Sequence, residues 1–233
     1  MAVARRIERV AALVPCHRTP PSEDLLRRIG ARVDEVVVVD DGMPEPQAME
    51  LESVAGRVGA EVIHTRHGGK GHAIVEGLRR LEARAGELAV VVLDSDGQHP
   101  PEAIPVFLAV GAEADLVVGN RFAAPAPVPC IRRLANAIAS SLLSRSTRSS
   151  VPDSQCGMRL LTRRALTEVP FPEGGYEAET VHLRRCLRAR LVVRWVPIPA
   201  VYNGSPSSFR PVRDSAAVLA ACVRDRGQPS PTG

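Results

Sequence analysis

Apolar runs that stop abruptly at a polar or acidic residue alternate along this chain with stretches whose apolar positions recur three or four apart. Val10-Ala-Ala-Leu-Val14 predicts a short buried strand ending at Pro15. Ser22 then caps a helix with Leu25, Leu26, Ile29 and Val33 on one side. Val36-Val-Val-Val39 predicts a second strand running into Asp40-Asp41-Gly42, Pro44 and Pro46 favour a turn and a helix start, and Glu61-Val-Ile-His64 predicts a third strand. A Gly-rich lead, Arg66 to Ala73, opens a helix with Ile74, Leu78 and Leu81 together.

Leu88-Ala-Val-Val-Val-Leu93 is apolar throughout and rich in β-branched residues, the mark of a strand buried on both faces of a parallel sheet. A helix begins near Pro100, Asp115-Leu-Val-Val-Gly119 reads as a strand, and the Pro-rich stretch 123–129 as a loop. A helix follows from about Ile131 to Leu143 with Arg132, Arg133 and Asn136, then a turn from Ser149 leads to a short strand. Glu177 begins a helix with Val181, Leu183 and Leu187, and 191–201 is strand-like. A polar loop over 202–214, a helix over about 215–224 and a disordered end over 227–233 complete the pattern. The alternation predicts a doubly wound, mainly parallel α/β sheet with helices on both faces, as one domain over 1–226.

Composition adds limits. At 233 residues a single domain buries a sound core without disulfides. The net charge of +4 is carried almost wholly by Arg, since Lys70 is the sole lysine, and an aromatic content of 3% gives no stacking platform for nucleic acid. The five cysteines form no Cys-x-x-Cys pair, which argues for reduced thiols in a cytoplasmic setting. No segment reads as a signal peptide or a membrane span, so any membrane contact is expected to be peripheral, through basic side chains on anionic headgroups.

The chemistry concentrates where strands end in acid. Asp94-Ser-Asp96-Gly97-Gln98 places two carboxylates at i and i+2 beyond the carboxyl end of the central strand, the place where open α/β sheets bind ligands. With the Gln98 amide oxygen they suit Mg²⁺ or Mn²⁺, although a lone Asp-x-Asp is more often a solvated acidic turn. Gly68-Gly69-Lys70-Gly71 before a helix lets backbone N–H groups approach an anion, with Lys70 as a point charge. It is not a Walker loop, because Gly71 stands where Ser or Thr would hold the metal.

Taken in order, Val39-Asp40-Asp41-Gly42, Gly69-Lys70-Gly71-x-Ala73, Asp94-x-Asp96-Gly-Gln98-x-Pro100, Gly119-Asn-Arg121, Asp153-x-Gln155-Cys-Gly157-x-Arg159, and Glu179 followed by Val196-Pro-Ile198 resemble a family 2 glycosyltransferase of the GT-A fold. Within that family the chain is most similar to dolichyl- or polyprenyl-phosphate sugar transferases, over roughly residues 10 to 205. The resemblance implies that Pro15, Asp40, Asp41, Lys70 and Asp94 bind the nucleotide-sugar donor, and that Asp94, Asp96 and Gln98 hold the divalent ion. It implies that Arg121, Arg133, Ser154 and Gln155 bind the acceptor phosphate or the diphosphate, with Arg121 and Asp153 as catalytic residues. Asp153 as a base stands beside Asp153 as the cap of the turn before Gly157, and Arg133 beside a solvated helix charge. The chain departs from the family at Pro15-Cys-His-Arg-Thr19, where Pro-x-Tyr-Asn-Glu is usual, at Met43 and at His67.

The implied reaction is displacement at the anomeric carbon with inversion, onto a polyprenyl phosphate. The alternatives are transfer to a hydroxyl of a soluble metabolite, and a non-catalytic nucleotide-sugar binder. A nucleotidyltransferase or a dehydrogenase would want a Gly-rich loop after the first strand, which Pro15-Cys-His-Arg-Thr lacks.

Overall fold

The computed structural model describes residues 7–83, 88–123, 128, 130–200 and 220. The expected polar loop over 202–214, the disordered end and most of both the Pro-rich loop and the helix over 215–224 lie outside the described residues.

The apolar runs form seven strands: β1 (Arg9–Cys16), β2 (Glu35–Asp41), β3 (Glu61–Thr65), β4 (Leu88–Val92), β5 (Leu116–Asn120), β6 (Arg159–Thr162) and β7 (Val193–Pro197). They make one sheet in the order β3-β2-β1-β4-β6-β5-β7. Every neighbouring pair is parallel except those of β6, which runs antiparallel to both β4 and β5. This is the mainly parallel α/β sheet that the sequence predicts, with β6 alone reversed. Ala11 to Val14, Val37 to Val39 and Ala89 to Val91 are completely buried, as central strands covered on both faces require. Each such Val or Leu contributes about 1.5–3 kcal/mol over an exposed one.

The helices are α1 (Glu23–Gly30), α2 (Glu45–Val58), α3 (Lys70–Glu82), α4 (Ile104–Gly111), α5 (Cys130–Thr147), α6 (Arg163–Glu168) and α7 (Glu177–Arg188). Ser22 caps α1 through a 3.2 Å bond accepted from Leu25 N. In α3, Gly77 lies on β1 and β2 so closely that a Cβ there would stand 2.2 Å from Leu13 Cδ1.

Several boundaries differ from expectation for local reasons. β1 runs through Pro15 to Cys16, because its last partner on β4 is Leu13 with Val92, so Pro15 needs no donor on that side. α1 ends at Gly30, which leaves Val33 beyond it. The helix expected at Pro100 starts as a single 3₁₀ turn, Pro101–Ala103. α5 continues past Leu143 to Thr147, where Ser146 and Thr147 hydroxyls donate back to the Leu143 carbonyl at 3.0 and 2.8 Å. The short helix α6 was not legible as a separate element.

The direction of β6 positions the site. Because β6 is antiparallel, it begins beside Val92 and Val118, near the ends of β4 and β5, and the segment 153–158 leading into it lies along the carboxyl edge of the sheet.

Candidate active site at the carboxyl edge

Asp94, just past β4, is the meeting point. Lys70 Nζ, at the first turn of α3, lies 2.5 Å from Asp94 Oδ1 and 2.9 Å from Glu179 Oε2 of α7. Burial works against the Asp94 charge, but Lys70 outweighs it, with His99 and Arg121 adding to the pull, and the carboxyl is held well below the usual carboxylate range. Burial likewise opposes the Lys70 ammonium, and Asp94 with Glu179 more than restores it, so its pKa is raised. Gly157 leaves room for this pair: a Cβ there would stand 2.6 Å from Asp94 Oδ2 and 2.8 Å from His99 Cε1. His99 closes the turn by accepting a 3.1 Å bond from Asp94 N on Nδ1. Burial pushes its pKa down to about 4, so it is neutral.

Across the crevice Asp153 is fully buried and grips Arg121 at two points, Nε to Oδ2 at 2.8 Å and Nη2 to Oδ1 at 2.9 Å. Arg121 N and Gln155 N donate to the same carboxylate at 3.1 and 3.2 Å. Such a bidentate pair fixes the guanidinium plane as well as its place. Gln155 Nε2 is buried without a hydrogen-bond partner among the described residues, and so is Glu179 Oε1, both unmet polar atoms beside the charged cluster.

Asp96 Oδ1 accepts from Gln98 N at 2.9 Å, an Asx turn, so the contact Gln98 makes there is through its backbone. Both acids offer hard oxygens, and the Asp94 side chain keeps 30% exposure, which fits a divalent ion taking over the counter-charge that Lys70 supplies.

A match to the Glycosyl transferase family 2 model spans residues 19–169. The chain belongs to glycosyl transferase family 2. Two curated relatives are each named undecaprenyl-phosphate 4-deoxy-4-formamido-L-arabinose transferase. That of Pseudomonas aeruginosa (strain LESB58) is 30% identical over 198 residues, 76% of this chain and 57% of the relative. That of Edwardsiella ictaluri (strain 93-146) is 31% identical over 165 residues, 66% of this chain and 49% of the relative. The chain thus spans about half the length of these relatives. Among solved structures, glucosyl-3-phosphoglycerate synthase from Mycobacterium tuberculosis, in complex with Mn²⁺ and UDP, superposes with a TM-score of 0.72 at 23% identity, covering 96% of this chain and 82% of that one. Mannosyl-3-phosphoglycerate synthase from Rubrobacter xylanophilus gives 0.68 at 21%, covering 93% and 72%. At these identities the structures show the GT-A fold alone.

In this family 2 glycosyltransferase several of the residues expected to touch ligand hold loops. Ser154 is fully buried, its hydroxyl accepting from Ser140 Oγ of α5 at 3.1 Å, so it anchors the 153–158 loop. Gly68-Gly69-Lys70-Gly71 is not an open anion cradle either. Gly68 N and Gly69 N donate to Asp41 Oδ1 at 2.7 and 3.2 Å, while Gly71 N and His72 N donate to Gly174 O at 2.8 and 3.2 Å. Gly71 is needed for that approach, since a Cβ would stand 2.5 Å from Ala178 Cβ. Asp41 is therefore the staple of the loop, and Asp40 caps the β2 turn by accepting from Met43 N at 2.7 Å. Pro15 is buried in β1, and Arg133 is exposed on α5. A cavity of about 420 Å³ between the ends of α5 and α7, lined by Thr147, Arg148, Arg188 and Arg190 among others, contains none of these residues.

His64 has a carboxylate on each ring nitrogen, Asp40 Oδ2 at 2.8 Å and Glu52 Oε1 at 2.7 Å. The bond to Asp40, then that to Glu52, raises its pKa above the ordinary 6.5. A raised folded-state pKa gives stability that is complete below pH 6.5 and fades as pH rises through the folded value. Replacing His64 by Gln is expected to flatten this slope of melting temperature against pH between mildly acidic and alkaline buffer; an unchanged slope would show that the His64 bridges are not formed.

Proposed function

We propose that this chain transfers a sugar from a nucleoside-diphosphate sugar to a polyprenyl phosphate with inversion, using Mg²⁺ or Mn²⁺ held by Asp94 and Asp96. The observation that carries the reading is the Arg121–Asp153 clamp beside the Lys70–Asp94–Glu179 cluster, with the unmet Gln155 Nε2 next to it. A rigid guanidinium and an unsatisfied amide donor suit phosphate oxygens. The names of the undecaprenyl-phosphate relatives and the UDP and Mn²⁺ of the structural neighbour support the same ligands.

An oxygen of the acceptor phosphate attacks the anomeric carbon as the bond to the donor β-phosphate breaks. A phosphate is already anionic and needs no strong base. Asp153, with both oxygens committed to Arg121, is assigned to holding that guanidinium, and Arg121 and Lys70 offset the charge that grows on the departing diphosphate. The divalent ion, when bound, supplies Lewis-acid neutralisation of the same diphosphate. Asp40 and Asp41 serve the donor end by fixing the β2 turn and the loop before α3. No helix among the described residues is long and apolar enough to cross a membrane. The peripheral contact that a lipid acceptor needs falls on α5, whose Leu134, Ile138 and Leu142 are 59, 47 and 45% exposed at i, i+4 and i+8, near exposed Arg133 and Arg145.

The test is incubation with labelled UDP- and GDP-sugars, Mn²⁺ and undecaprenyl phosphate in detergent. The expected product is a sugar phosphate lipid, formed about two powers of ten more slowly by Arg121→Ala. Label passing instead to a soluble hydroxyl compound would sink the lipid reading.

A further inference from the structure

His17, just past β1, and His67, in the loop before α3, stack with ring centroids 4.3 Å apart and planes at 18°. Both turn Nδ1 to the same residue. His17 Nδ1 lies 2.8 Å from the Asp41 carbonyl oxygen, and His67 Nδ1 lies 2.8 Å from Asp41 Oδ2 and 3.2 Å from its carbonyl oxygen. Those oxygens can only accept, so each neutral ring holds its proton on Nδ1, between itself and Asp41, in the place that an ion would take. Asp41 itself is 3% exposed and tied down by Gly68 N and Gly69 N, so the anchor is rigid while the rings above it are accessible.

An ion that replaces those protons meets a nitrogen of each ring and the Asp41 carboxylate together, while each ring carries its remaining proton on Nε2. One ligand-capable atom from each of His17, Asp41 and His67 lies within 4.8 Å of the others. We propose that His17 and His67, with Asp41, form a second metal site, separate from Asp94 and Asp96, for a first-row transition ion of the Zn²⁺ class. Imidazole nitrogen suits Zn²⁺, Ni²⁺ or Cu²⁺, whereas the all-oxygen pair past β4 suits Mg²⁺ or Mn²⁺. Metal–nitrogen bonds are about 2.0–2.1 Å, so the rings must tilt toward one another, and the 61% exposure of the His67 side chain allows it. An ion here sits against Asp41 at the donor end of the crevice, so it competes with the nucleotide; this consequence, unlike the binding, rests on the proposed function.

The experiment is calorimetric titration of Zn²⁺ into the full chain with Mn²⁺ in excess. One equivalent should bind, with affinity reduced about tenfold or more in His17→Asn and in His67→Asn, two substitutions at accessible positions, and unchanged in Asp96→Asn. Absence of saturable binding, or affinity in both histidine variants equal to that of the parent, overturns the site. A UDP and GDP titration with and without Zn²⁺ separates the two readings. Nucleotide that binds while Zn²⁺ does not leaves the proposed function standing and removes this site. His-dependent Zn²⁺ binding with no effect on nucleotide keeps the site and removes its competition with the donor.

Discussion

Asp96→Asn is expected to lower sugar transfer by about two to three powers of ten while leaving the unfolding transition in place. The substitution keeps an oxygen at Oδ1, so the 2.9 Å bond from Gln98 N and the turn after β4 survive. What it removes is one of two negative charges beyond the strand, and a divalent ion held by oxygen alone depends on that charge. Asp94 is a poorer test. Its Oδ1 is 2.5 Å from Lys70, so Asp94→Asn would leave an ammonium that is only 10% exposed with Glu179 as its remaining partner, and lost activity would be mixed with lost stability. Measuring kcat and the Mn²⁺ concentration for half-maximal rate together decides the point. A variant with normal turnover at ordinary Mn²⁺ would show that the ion is not held by this pair.

The strand pattern and Asp94-x-Asp96 were legible because their causes are local: a strand buried on both faces must be apolar throughout, and its end must be polar. The same holds for Ser22, whose cap spans three residues. What sequence could not supply is the partner of a group far along the chain. Gly69 and Gly71 read as an anion loop because nothing nearby announces that Gly174 O, about a hundred residues on, takes the N–H groups of Gly71 and His72. Ser154 read as a phosphate contact because its bond to Ser140 depends on α5 lying alongside. Asp153 was open between base and cap, and the clamp on Arg121 exists only because antiparallel β6 returns its leading loop to the end of β5. The antiparallel direction itself has no mark in Leu160-Leu161, which would serve either way. His99 stands five residues past Asp94 in the same turn, but nothing local in the sequence separates it from the other five histidines.

Arg159→Ala is expected to cost about 3–5 kcal/mol of stability, a large share of the 5–15 kcal/mol typical of a folded domain. Arg159 opens β6 and is among the largest side chains with no exposure at all. Among the described residues no carboxylate takes its hydrogen bonds. Its guanidinium donates to three carbonyls, Cys156 O at 3.0 Å, Glu179 O at 2.6 Å and Ser154 O at 3.3 Å, and so ties the 153–158 loop to α7. Truncation leaves a cavity beside β6 and takes the charged donor from Cys156 O, while Ser154 O keeps its bond from Thr180 Oγ1 at 3.1 Å. Because the same loop carries Asp153, Gln155 and the Gly157 seat of Asp94, transfer should fall along with stability. Arg159→Met separates the causes, since it fills most of the volume but offers no donor. Urea denaturation should place Met between Ala and the parent. If Met matches the parent while Ala does not, packing alone holds this loop; if Ala itself costs less than about 1 kcal/mol, the three carbonyl bonds do not anchor the site.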